Sequence, residues 1–133
     1  MKIATVVARV LLGLAFVVFG ANLLRPFLTM PPFPPASLGA QFMGVMGPSG
    51  YMKFVGSFQF LGGALVLFGG TAPIGLTLLG PVLLNILAFH VLLMGGEGIG
   101  MGLLFTALEV FLIYSYRGSF SGIFTTSAVP AAR

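Results

Sequence analysis

The chain has no cysteine and no tryptophan, and its only acidic residues are Glu97 and Glu109. Without cysteine it has no disulfide, no thiolate metal site and no CxxC redox chemistry of its own. Without tryptophan, phenylalanine and tyrosine must make any aromatic belt at a membrane interface. Charge is scarce altogether: 6% of the 133 residues are charged, against roughly a quarter in an ordinary soluble domain. The net charge of +4 comes from scattered residues. No basic run with interleaved aromatics exists, so nucleic acid is not an expected partner. No phosphate loop, HExxH sequence or nucleophile elbow appears.

What remains is apolar. Hydrophobic residues make up 58% of the chain, which predicts an integral membrane protein with the lipid bilayer as its main partner. Four segments carry the pattern of spanning helices: about 3–25, 51–69, 73–94 and 100–116. The third, PIGLTLLGPVLLNILAFHVLLM, is long enough to cross a bilayer of about 30 Å at about 1.5 Å per residue. The first resembles a signal peptide in its opening, but Arg9 interrupts the apolar region, which favours a retained helix. Arg9, Gly13, Phe16 and Gly20 share one of its faces. In the second, Gly56, Gly63 and Gly70 recur every seven residues with Gln59 beside them, predicting a close helix crossing. Between the second and third, Thr71 is a candidate cap and Pro73 suits a first helical position. Pro81 should bend the third helix.

The segment 26–50 is proline-rich. Ser37 is placed to cap a short interfacial helix running to about Met46, with an irregular loop as the alternative. The tail, 117–133, reads as loose. Four crossings put both termini on one side with Lys2, Arg9, Arg117 and Arg133. Arg25, Lys53 and Glu97 fall on the other. The balance of basic residues predicts cytoplasmic termini.

Polar residues inside spanning helices are the candidates for function. Arg9 and Glu109 each lie roughly 10 Å deep from the side of the termini. They are expected to form a structural ion pair that sets the first helix beside the fourth. Two alternatives stay open: Arg9 snorkels while Glu109 holds a proton, or the two serve a proton or substrate path. Toward the other side, Asn22, Gln59, Asn85 and His90 outline a candidate ligand-binding pocket under the 26–50 segment, with Gln59 and Asn85 on inward faces. An interhelical amide bond and a packing histidine are the plainer readings of these residues. Met30, Met43, Met46 and Met52 lie on the same side as His90, and thioethers with imidazole suit Cu(I). Their spacing defines no rigid site, and no metal ligands are assigned.

Three stretches, ARVLLGLAFVVFGAN, SGYMKFVGSFQFLGGALVLFGG and PIGLTLLGPVLLNILAFHVLL, carry a resemblance over about residues 4–116. The chain resembles the DoxX-like family of small four-helix membrane proteins. The resemblance implies an all-α, antiparallel four-helix bundle in the bacterial inner membrane. It also implies kinship with proteins linked to quinone-dependent thiosulfate oxidation or to membrane complexes that manage oxidative stress. Near Gln59 the family pattern carries an acidic residue. This chain has an amide there, so a proton-handling role is not carried over to that position.

Three functional classes follow. The first is a non-catalytic interaction or assembly subunit, partnered by a membrane or periplasmic protein or by a second copy of itself. The second is a quinone-linked subunit of a membrane oxidoreductase, with Asn85 and His90 facing the quinone carbonyls. The third is a small transporter or metal-binding membrane protein.

Overall fold

The structure is a computed structural model, and it describes residues 2–131. It is all-helical, with no strand among the described residues. The order is α1 (Lys2–Leu24), α2 (Leu38–Met46), α3 (Tyr51–Leu67), α4 (Ala72–Ala88), α5 (Ile99–Ser115) and α6 (Arg117–Phe120), with short tighter or wider turns between. α1 packs on α3, α3 on α4, α4 on α5, and α5 returns to α1. Two stretches are long and apolar enough to cross a membrane: Lys2–Leu24 and the continuous Gly69–Leu93. Ile99–Ser115 with Arg117–Phe124 makes a third if that pair, bent by 79°, is one span.

Local chemistry sets the boundaries. α1 stops where Pro26 can supply no N–H, and the Asn22 side-chain oxygen accepts from the N–H groups of Phe27 (2.9 Å) and Leu28 (2.7 Å), fixing the exit. The Ser37 hydroxyl accepts from the N–H of Ala40 at 3.0 Å, the N-cap of α2. Thr71 does something else than start α4. Its hydroxyl donates toward the carbonyls of Leu65 (2.7 Å) and Phe68 (2.9 Å), closing the end of α3. α4 passes through Pro81 and then widens into a π turn, Phe89–Leu93. The reversal into α5 uses Gly95, Gly96 and Gly98 at positive φ, which a side chain would strain.

The interior is filled by Leu12, Phe16, Val66, Leu76, Leu79, Leu83 and Leu112. Phe16 meets Phe105 of α5 with ring centroids 5.7 Å apart. Backbones touch along α3. A Cβ at Gly63 would sit 2.7 Å from the carbonyl of Gly13 and from the N of Val17 on α1. On its other side, a Cβ at Gly75 of α4 would sit 2.6 Å from the carbonyl of Gly62. α2 covers one end of the molecule, where Phe33 and Phe42 pack around Phe89 at 5.6 and 5.7 Å.

Two expectations change here. The face of α4 holding Thr77, Pro81, Asn85 and Ala88 is turned outward and exposed, not inward. The reason is Gly75: it must meet the α3 backbone, which rotates Leu76, Leu79 and Leu83 into the interior. The start of the tail is also not loose. Past the bend, Arg117–Phe120 is helical and Phe120 is buried in the core. Arg133 lies outside the described residues.

Candidate functional site

At the α2 end of the molecule, two of the four polar candidates are already engaged. Asn22 uses its side-chain oxygen to hold the chain after α1. His90 sits in the π turn with Nδ1 2.8 Å from the carbonyl of Ile86. A carbonyl only accepts, so Nδ1 carries the proton there and Nε2 is the nitrogen left over. Nε2 faces the turn at Gly98, where a Cβ would approach to 3.4 Å. Gln59 is buried in α3 at 5% exposure and bonds to no other described residue. Asn85 is exposed, and it lines a groove of about 170 Å³ between α3 and α4 with Phe54, Phe58 and Pro81. That groove takes in neither Gln59 nor His90. That groove therefore does not unite the four candidates.

At the opposite end, the expected Arg9–Glu109 pair is not formed. The Arg9 guanidinium reaches across Gly69, whose missing Cβ makes room for it, and one terminal nitrogen lies 3.4 Å from the Tyr116 hydroxyl. The guanidinium thus meets the Tyr116 hydroxyl and neither Glu109 oxygen, and its Nε is buried without a partner. Glu109 is 3% exposed, and neither of its carboxyl oxygens has a hydrogen-bond partner. The carboxyl faces α4 near Gly80, where a Cβ would lie 3.8 Å from Oε1.

Other polar contacts at this end escaped the sequence reading. Thr5 on α1 and Ser115 on α5 bring their hydroxyls to 3.4 Å. Phe120 lies beyond the 79° bend, so no helical spacing from Leu112 signalled its burial. Among the described residues, no group of three or more His, Asp or Glu side chains is placed to hold a metal ion.

Comparisons with protein-family models, curated proteins and solved structures found no match. The DoxX-like resemblance thus rests on the quoted residues alone.

Proposed function

We propose that the chain is a DoxX-like four-helix membrane protein acting as a non-catalytic interaction or assembly subunit of a complex in a bacterial inner membrane. α1, α3, α4 and α5 each cross the bilayer in this reading, with both chain ends in the cytoplasm. The observation that carries it is the outer surface. Large apolar side chains face outward on every long helix, among them Val7, Leu14, Leu61, Leu84, Leu104 and Val110. Water does not tolerate so continuous a patch, whereas lipid and partner helices do. The charges fit the same picture: Lys2 and Arg117 at one end, and Arg25, Lys53 and Glu97 at the other, are all exposed. α3 and α5 have 17 residues each, about 25 Å at the standard rise. Spans this short are accommodated by local thinning of the bilayer.

Extraction from native membranes in mild detergent, followed by native mass spectrometry, tests the assembly role. A protein partner in fixed stoichiometry is the expected result. A bare monomer recovered from two independent extractions would end this reading.

The groove at Asn85 favours a second reading, a quinone-linked subunit. An amide with no hydrogen bond of its own, beside Phe54 and Phe58, offers a donor to a quinone carbonyl and rings to stack on its face. Quinone should then raise the melting temperature of the wild-type chain but not of Asn85→Leu. Equal shifts in both would remove the groove from consideration.

A further inference from the structure

Gly75 meets the α3 backbone, and this turns Thr77, Pro81, Leu84, Asn85 and Ala88 of α4 outward. Thr77 satisfies its hydroxyl on the carbonyl of Pro73 at 2.8 Å. The Asn85 amide bonds to no other described residue. It lies well inside the apolar stretch Gly69–Leu93, about 12 Å from the Leu93 end at the standard rise. Depth and exposure together set the problem. Hydrocarbon offers an amide no hydrogen bond, and this amide carries both N–H donors and a carbonyl acceptor.

Whatever covers Asn85 must bring a donor and an acceptor to that depth. A second copy of the chain does so by symmetry. Insertion gives every copy the same orientation. A two-fold axis along the bilayer normal then sets Asn85 opposite Asn85 at one depth. The amide is complementary to itself, since an N–H of each can donate to the carbonyl oxygen of the other. Nothing on α4 repels an identical helix, because Ala72–Ala88 holds no Lys, Arg, His, Asp or Glu. The groove beside Asn85, about 170 Å³ between Phe54, Phe58 and Pro81, is smaller than the roughly 300–1,000 Å³ of small-molecule pockets. It has the size for one inserted side chain, and Leu84 stands out on the same face at 68% exposure.

We infer that the outward face of α4 is a homodimer interface, in which Asn85 of one copy hydrogen-bonds Asn85 of a second within the bilayer. The inference rests on the assembly reading and names its partner. Amide pairs between spanning helices contribute modestly to affinity, but they fix which faces meet. Discrimination rests on the amide: leucine at position 85 suits lipid better and keeps the apolar contacts, so a dimer held by packing alone would not weaken.

The test uses the full chain in liposomes of phosphatidylethanolamine and phosphatidylglycerol. Copies labelled with donor or acceptor dye at Ser49→Cys, their only thiol, report association by energy transfer as lipid is added. The expected result is a dimer, about tenfold weaker with Asn85→Leu and retained with Asn85→Gln. Both substitutions alter an exposed side chain and leave the core in place. Disulfide cross-linking then locates the face. Ala88→Cys, on the face of Asn85, should link two copies. Leu14→Cys should not, because α1 and α4 both pack on α3 and α5 and so lie diagonally across the bundle. A dimer equally tight with Asn85→Leu, or one linked through Leu14→Cys instead, would overturn the inference. So would a monomeric wild-type chain. If quinone stabilises that monomer but not Asn85→Leu, the groove belongs to quinone. If native membranes yield a different protein in fixed stoichiometry, the assembly reading stands without this interface.

Discussion

Glu109 and Tyr116 leave the same face of α5 two turns apart, and that offset decides the chemistry of both charged side chains. Arg9 bonds to Tyr116 and not to Glu109, and Glu109 is left facing α4. Breaking a buried ion pair by removing one partner costs roughly 3–5 kcal/mol. No such pair exists here, so a double-mutant cycle of Arg9→Gln and Glu109→Gln should give a coupling energy below about 0.5 kcal/mol, the range of independent sites. Thermal or denaturant unfolding in one fixed detergent measures it. A coupling of about 3 kcal/mol would mean that the two charges meet after all. Sequence could give the depth of these residues, because depth follows from the rise per residue. It could not give the side-chain direction of Arg9, which depends on Gly69 lying across the helix interface and leaving a path for the guanidinium.

Among the elements, α3 is the one both neighbours approach at backbone distance. Its two glycine faces, Gly56 and Gly63 toward α1 and Gly62 toward α4, replace side-chain interdigitation with direct contact. Where the outer face of a helix is as apolar as its inner face, burial alone does not choose which side turns in; close fit does. Gly63→Ala should therefore destabilise by roughly 1–3 kcal/mol, the range for overpacking. Gly70→Ala, the third member of the seven-residue repeat, has open space at its Cβ and should be near neutral. Gly44→Ala inside α2 also has open space, and should gain about 0.5–1 kcal/mol of helix propensity. Melting temperatures of the three variants check the order, and equal losses at Gly63 and Gly70 would contradict it. The all-helical class was legible from composition and periodicity, as were the buried face of Gly13, Phe16 and Gly20 and the cap at Ser37. The repeat was legible too, as was the turn that holds its last member, Gly70. The outward rotation of Asn85 was hidden because it is fixed by Gly75 meeting α3, a contact between segments that no local pattern encodes. The π turn at His90 was hidden because one wider turn leaves the apolar pattern unchanged.

For the molecule as a whole, the closing contact between α1 and α5 puts Thr5 beside Ser115, so the start of α1 and the end of α5 lie at one end of the helices. The α1–α3 and α4–α5 connections, with Ser49 and Glu97, sit at the other. A chain without cysteine makes this arrangement easy to probe, since any introduced thiol is the only one present. Ser119 and Ser49 are both exposed, at opposite ends. If the basic residues near the termini hold that end in the cytoplasm, a membrane-impermeant maleimide added to intact cells should label Ser49→Cys and spare Ser119→Cys until the membrane is opened. The reverse pattern would invert the proposed orientation, showing that Arg25 and Lys53 outweigh Lys2, Arg9 and Arg117. Labelling of both positions in intact cells would be the serious result. It would place the two ends of the helices on one side of the bilayer, and the apolar outer surface would then have to be covered by other protein rather than by lipid.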